Sequence, residues 1–408
     1  MAVVVLGVTG CIGAYKACEV LRELQRHGHD VHVAMTEHAT RFVSAMTFEA
    51  LSQHPVFIDQ FTLGAESQIQ HISLADAADL FLIAPATANI VGKLARGIAD
   101  DALTTLYMAT TAPVVVAPAM NVNMFSHPAV MENLEMLRER GVGIVEPGSG
   151  YLACGWLGRG RLAEVPEIVA AAEAVLARRA SLAGLRVVVT AGPTVEDIDA
   201  VRFVSNRSSG RMGYRLAEAA RDRGASVVLV SGPSALPEPR GLELVRVRSA
   251  EQMAQAVEQK AEGAAVVVMA AAVSDYRPAS VAPNKIKKQE GPLTLELVRT
   301  PDILAGLGAR KNGRFLVGFA AETDAVREHA RGKLRAKNLD LIVANDVARR
   351  DAGFATDTNA ALLIDAAGEV EVPLVSKREL AERIWDRVIE LRGNGNGNDA
   401  TETQRTQR

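Results

Sequence analysis

The chain is short of cysteine, of aromatic residues and of net charge, and each shortage removes a class of protein. Of 408 residues, three are cysteine and 4% are aromatic. Cys11, Cys18 and Cys154 are too few for the disulfide framework of a small secreted domain. A formal net charge of −3 gives no chain-wide attraction to nucleic acid or to an acidic membrane. The longest apolar run, Ala264 to Val273, is too short to span a bilayer. The amino end enters an apolar stretch at Ala2-Val3-Val4-Val5-Leu6, without the basic region and cleavage site of a signal peptide. Neither a Walker A pattern nor a clean GxGxxG occurs. The expectation is a cytoplasmic enzyme of small molecules, with no nucleic-acid partner and no membrane partner.

What is present is a repeated α/β rhythm. Short Val/Leu/Ile runs at 3–6, 31–35, 80–84 and 114–117, then at 186–190, 226–230, 265–269, 315–319 and 340–344, alternate with helical patterns. Near-continuous apolar strands between helices predict parallel sheets covered on both faces. Arg26-His27-Gly28 and Arg223-Gly224 both read as a helix end with a capping glycine before a second strand. The expected fold is therefore two tandem doubly wound, Rossmann-like domains with mainly parallel sheets, the first flavodoxin-like. Their bounds are 1–180 and 184–392, and the Gly-Asn-rich segment 393–408 reads as a disordered tail. Ligands on such sheets bind beyond the carboxyl ends of the strands. The unusual residues cluster there: Thr9-Gly10, Thr36, Pro85-Ala86-Thr87, Pro118 to Asn121, Ala191 to Thr194, Ala270 to Asp275 and Asn345-Asp346.

In the first half, Gly7-Val8-Thr9-Gly10-Cys11-Ile12-Gly13 joins a strand to a helix and suits a phosphate on main-chain N–H groups, or simply a tight βα turn. Thr87 before Ala88-Asn89 reads as a helix cap or as a flavin contact. Asn121 follows an apolar strand, and Cys154 sits in the glycine-dense stretch 148–161, which suits a lid. An amide that grips a carboxylate and a thiol that delivers a proton suggest carbanion chemistry, with His71 as base. A surface role for His71 and a packing role for Cys154 are the plainer readings of each alone. Together the segments Gly10 to Lys16, Gln70-His71-Ile72, Ala84 to Asn89, Pro118 to Met124 and the flap around Cys154 resemble the phosphopantothenoylcysteine decarboxylase family of flavoproteins. The resemblance covers residues 1 to about 165. It implies FMN held by Gly10, Cys11, Ile12, Thr36, Thr87, Ala88, Asn89 and Ala119. It also implies that His71 assists thiol oxidation, Asn121 fixes the substrate carboxylate and Cys154 protonates an enethiolate. Phe125 stands where the family has Trp or Tyr, and Cys11 where it has Gly or Ser.

In the second half, Ser208-Ser209-Gly210 at a helix start suits a phosphate, and Asp275 at a strand end suits magnesium or a nucleotide hydroxyl. Lys285-Ile286-Lys287-Lys288 reads either as a solvated loop or, after Pro283-Asn284, as a structured approach to a triphosphate. A dinucleotide reading lacks an acidic ribose ligand at Val230-Ser231. Ala191 to Thr194, Ser205 to Gly210, Lys285 to Lys288, Pro301-Asp302-Ile303, Gly318 to Thr323 and Ala344-Asn345-Asp346 resemble the CTP-using bacterial form of phosphopantothenate–cysteine ligase, from about 185 to 391. That resemblance implies a CTP site of Met269, Ala270, Ala271, Asp275, Lys285, Pro301, Asp302, Ile303, Leu304, Phe319, Lys333 and Lys337. Asn206 would hold the acyl intermediate with Arg202 close by, and Mg2+ would sit at Asp275.

The two halves together are similar to fused coenzyme A biosynthesis proteins. The implied reaction couples 4′-phosphopantothenate to cysteine through an acyl-cytidylate, then decarboxylates the product to 4′-phosphopantetheine. An NAD(P)-linked reductase and a non-catalytic flavin-binding regulator are the rivals. The resemblance also implies a homo-oligomer, a dodecamer built from trimeric decarboxylase and dimeric ligase contacts.

Overall fold

The computed structural model describes residues 1–61, 70–151, 157–288, 292–322, 326–346 and 356–402. The chain divides into two compact units, Met1–Arg178 and Arg179–Arg408.

The first unit runs β1 (Val3–Val8), α1 (Ala14–Arg26), β2 (Asp30–Met35), α2 (Ala45–Ser52), α3 (Gln70–Ala77), β3 (Leu80–Ala86), α4 (Ala88–Arg96), α5 (Ala102–Ala109), β4 (Val114–Pro118), α6 (Val122–Phe125), α7 (Pro128–Glu139), β5 (Gly143–Ile144), β6 (Gly148–Tyr151), β7 (Leu157–Arg161) and α8 (Val165–Arg179). Its five-stranded sheet has the order β2-β1-β3-β4-β5, all parallel, which is the flavodoxin-like winding. Alternation along β1 splits the core into two layers. Val4, Leu6 and Val8 face one layer with α1 and α8, while Val5 joins the other with α4, α5 and α7. Helix α1 ends where Gly28 adopts φ +86°. The His29 amide then reaches back to the Leu24 carbonyl at 3.1 Å, which turns the chain into β2.

The second unit runs β8 (Arg186–Ala191), β9 (Val195–Asp197), β10 (Phe203–Ser205), α9 (Arg211–Asp222), β11 (Ser226–Ser231), β12 (Glu243–Arg246), α10 (Ala250–Lys260), β13 (Val266–Met269), β14 (Tyr276–Pro278), β15 (Leu297–Arg299), α11 (Ile303–Ala309), β16 (Phe315–Glu322), α12 (Val326–Ala336), β17 (Leu341–Asp346), β18 (Thr358–Asp365), β19 (Glu369–Ser376) and α13 (Lys377–Glu402). The sheet order is β12-β11-β8-β13-β16-β17-β18-β19. The first six strands are parallel in Rossmann order, and the last two return antiparallel. Gly224, at φ +86°, repeats the helix ending of Gly28. Trp385 of α13 is fully buried and donates its indole N–H to the Leu216 carbonyl at 3.0 Å, locking α13 onto α9. Arg223, only 2% exposed, is neutralised by Glu382 at 2.6 Å and Asp386 at 2.7 Å.

The closing helix α13 has helical backbone to Glu402, past residue 393. No helix among the described residues is long and apolar enough to cross a membrane.

Candidate functional sites

In each unit the strand order reverses beside the first strand, opening a crevice at the carboxyl ends. In the first unit it lies between β1 and β3. Thr9, 1% exposed, donates its hydroxyl to the Pro85 carbonyl at 2.7 Å and accepts the Thr87 amide at 3.1 Å, tying the two loops together. A Cβ on Gly10 would lie 2.6 Å from the Cβ of His38, so only glycine passes there. The Cys11 amide turns back to the Thr9 carbonyl at 2.9 Å. The amides of Gly10, Ile12 and Gly13 have no partner among the described residues, and Ile12 is exposed. Three main-chain donors ahead of α1 form a cradle that fits a phosphate. Thr36 closes one side, its amide on the Val8 carbonyl at 3.0 Å and its hydroxyl oxygen accepting from Ala39. Thr87 caps α4 through the Ile90 amide, leaving Ala88 half-buried and Asn89 exposed at the rim.

Asn121 caps the short helix α6, its Oδ1 accepting the Asn123 amide at 2.8 Å. The preceding residues are anchored twice: Ala119 N–H to the Ala86 carbonyl and Met120 N–H to the Gly160 carbonyl, both at 2.9 Å. Gly160 belongs to the antiparallel hairpin of β6 and β7. A Cβ there would stand 2.4 Å from the Met120 carbonyl oxygen, and the backbone has φ +135°. The glycine-dense flap is thus a hairpin pressed onto the Asn121 loop, and Arg159 sits 5.6 Å over the Phe125 ring. Cys154 lies outside the described residues, between the paired Tyr151 and Leu157. His71 is half-buried in the first turn of α3, on a different element from Asn121.

In the second unit the crevice lies between β8 and β13. Gly192 has φ +76°, and a Cβ on Gly232 would fall 1.8 Å from the Pro193 carbonyl oxygen, so the Ala191–Thr194 turn packs with no side chain beneath it. Thr190 and Thr194 accept the amides of Ala271 and Ser274 at 3.1 and 2.9 Å, and Asn206 donates to the Ala272 carbonyl at 3.0 Å. These bonds hold 271–274 open as one wall of a cleft of about 480 Å³. Met269, Ala271, Asp275, Pro301, Asp302, Ile303, Leu304 and Phe319 line the cleft, joined by Lys333 and Lys337 from α12 and the turn after it. Ala270 sits half-buried between two lining residues. Sequence reasoning missed Tyr276, Arg299 and Thr300, which also line the cleft with Ser274. The Ser274 hydroxyl is buried without a partner among the described residues.

Asp302 caps α11 through the Ala305 amide at 3.0 Å and pairs with Lys337 at 2.8 Å. Burial pushes its pKa up, but the Lys337 hydrogen bond and charge and the helix amides prevail, so the carboxyl lies below its ordinary value. Gly308 and Gly318 let α11 approach: Cβ atoms there would lie 2.0 Å from the Lys337 carbonyl oxygen and 2.7 Å from Leu339.

Arg202 and Lys285 occupy a second cluster rather than the cleft lining. Its organiser is Asp199, which sequence reasoning also missed. One carboxylate oxygen of Asp199 accepts from Arg202 and from the Ile286 amide at 3.1 Å, while Arg202 donates to the Ile286 carbonyl at 3.0 Å. The Lys285–Lys288 loop is therefore docked through its main chain, with Lys285 exposed above it. The Arg202 hydrogen bond holds the Asp199 carboxyl well below the usual carboxylate range, against the opposing effect of burial. Ser208 accepts the Gly210 amide ahead of α9 at 3.3 Å.

A family model described as Flavoprotein matches residues 2–177, and one described as DNA/pantothenate metabolism flavoprotein C-terminal domain matches residues 182–391. The coenzyme A biosynthesis bifunctional protein CoaBC of Bacillus subtilis is 51% identical over 95% of this chain and 97% of its own length. The protein of the same description from Escherichia coli K12 is 45% identical over 95% of this chain and 96% of its own. A crystal structure of the C-terminal domain of a CoaBC protein is 42% identical, with a TM-score of 0.46, over 53% of this chain and 99% of that one. With relatives of this identity along nearly the whole chain and both domain models matched in order, the chain belongs to the family of bifunctional coenzyme A biosynthesis proteins, and its first unit is a flavoprotein domain.

Proposed function

We propose that the second unit joins 4′-phosphopantothenate to cysteine with CTP as activating nucleotide, and that the first unit decarboxylates the product to 4′-phosphopantetheine with FMN. The observation that carries the reading is the 480 Å³ cleft, lined from four separate segments by the expected nucleotide residues other than Ala270 and Lys285. A carboxylate is a poor electrophile because it is anionic and lacks a leaving group. Transfer of the cytidylyl group from CTP makes a mixed anhydride and releases pyrophosphate, and the cysteine amine then displaces CMP. Lys333 and Lys337 line the cleft where triphosphate charge must be spread, with Lys337 oriented by Asp302. Lys285 adds a third cation from the docked loop. Asp275 places a carboxylate at the rim for Mg2+. Asn206, fixed by the Ala272 carbonyl, holds the acyl group.

In the first unit the Gly10–Gly13 amides, Thr36, Thr87, Ala88, Asn89 and Ala119 fit FMN, with the phosphate on the amides. When bound, FMN would supply a hydride acceptor that later returns the hydride, so the thiol can pass through a thioaldehyde and the protonated enethiolate can be reduced to the product thiol. Loss of CO2 from the thioaldehyde leaves its electrons delocalised as an enethiolate. Asn121, oriented by its Oδ1 on the Asn123 amide, meets the substrate carboxylate. His71 takes the thiol proton, and Cys154 returns a proton to the enethiolate.

The test is a mass-resolved assay of purified protein with 4′-phosphopantothenate, cysteine and Mg2+, run with CTP, with ATP and with neither. CTP-dependent pyrophosphate, CO2 and 4′-phosphopantetheine are expected. Pyrophosphate without CO2 overturns the assignment in the first unit, and no turnover with either nucleotide overturns the whole reading.

A further inference from the structure

Neither proposed reaction uses a histidine–carboxylate cluster on the far end of the first unit's sheet. Asp30 opens β2, and His32, two residues on, points from the same face of this edge strand. His54, just after α2, stacks on His32 with ring centroids 3.9 Å apart and planes 17° off parallel. Both rings turn Nε2 to one carboxylate: His54 lies 2.7 Å from Asp30 Oδ1 and His32 lies 3.3 Å from Oδ2. The three side chains are between a quarter and a third exposed, so solvent and ions reach them.

We propose that Asp30, His32 and His54 form a binding site for a borderline divalent transition-metal ion of the Zn2+ class. One ligand atom from each residue lies within 4.8 Å of the others. An ion at ~2.0–2.1 Å from each nitrogen sets tetrahedral nitrogens about 3.3 Å apart, so modest side-chain rotation closes the shell. Two imidazoles and one carboxylate favour Zn2+, Co2+ or Ni2+ over the hard Mg2+ of the ligase reaction. The partly exposed face leaves the remaining position to water. The site fastens a seam: Phe57, three residues after His54, pairs with the free edge of β2, its amide on the Val33 carbonyl and its carbonyl on the Met35 amide, both at 2.9 Å. Asp30 lies at the amino end of the six-residue strand and Thr36 just beyond its carboxyl end. At about 3.3 Å per residue the two ends are roughly 20 Å apart, so the ion acts on the seam and not on the flavin cradle.

The probe is Zn2+, titrated by calorimetry into tag-free, full-length protein stripped with a chelator and dialysed. One equivalent per chain is expected, with a Zn2+-dependent rise in the melting temperature of the first unit. His32→Gln and His54→Gln should each weaken binding at least about tenfold. Asp30→Asn keeps the side-chain shape and tests the same loss without a packing change, with circular dichroism confirming the fold. His27→Gln/His29→Gln, on the neighbouring pair that shares Glu173, should leave binding unchanged. The proposal fails if saturable binding is absent, survives both His32→Gln and His54→Gln, or disappears in the His27/His29 variant instead.

Discussion

Lys285 is exposed on a loop whose main chain, not its side chains, is docked, so the loop can present cations without burying them. Replacing Lys285 with Gln should lower CTP-dependent ligation roughly 100-fold, the scale of one preorganised charge stabiliser. Release of CO2 from supplied 4′-phosphopantothenoylcysteine should be unaffected, and a parallel assay of the two steps checks this. Asp199 acts one step back, through Arg202 and the Ile286 amide. Asp199→Ala removes the carboxylate that Arg202 and the Ile286 amide share and should raise the KM for CTP by about tenfold or more, the scale of a lost charged hydrogen bond. The sign of its pH dependence follows from its depressed pKa. A carboxyl lowered in the folded state contributes stability that is present above its unfolded value of 3.8 and is lost as pH falls through the folded one. The ratio of wild-type to Asp199→Ala ligation should therefore stay flat across roughly pH 5 to 8. A ratio that falls in that window would mean Asp199 is not the charged anchor.

At the scale of elements, the legible parts are those with an unbroken apolar signature. All nine strands read from Val/Leu/Ile runs are present, because strands buried on both faces need no polar alternation. The β18–β19 hairpin escaped notice because Glu369–Ser376 is mostly exposed and carries charge among its valines. The β6–β7 flap was legible as glycine density but not as a hairpin. Its docking depends on a contact between Met120 and Gly160, 40 positions apart in sequence. Asp199 was illegible for the same reason, since its partner Ile286 is 87 residues away. Asp275 was legible at its strand end and most other cleft residues through family resemblance, whereas Tyr276, Arg299 and Thr300 join it only once the strands are assembled. The flap contact yields a prediction of its own. Gly160→Ala forces a methyl to 2.4 Å from the Met120 carbonyl oxygen at a φ of +135°. Strain of about 1–3 kcal/mol should lift the hairpin from the Asn121 loop and lower decarboxylation tenfold or more. Flavin content and ligation should hold, and flavin absorbance measured beside both activities separates this from misfolding.

Across the whole molecule, each unit carries its own two-layered core and its own switch-point crevice. Nothing in the chemistry requires one chain to perform both steps on one molecule, because the amide product of the second unit is a stable compound that can diffuse. Loss of function should therefore complement between chains. Cys154→Ser alone should accumulate an oxidised, decarboxylated intermediate while still consuming CTP, and Lys285→Gln alone should stop before the amide. Mixed in one tube, the two variants should restore 4′-phosphopantetheine from 4′-phosphopantothenate, cysteine and CTP, at a rate that rises with the concentration of the Lys285→Gln partner. Mass spectrometry of the mixture against each variant alone checks this. If the mixture makes no more product than the separate variants, the intermediate does not leave the chain that made it, and the two units act as one catalyst rather than two.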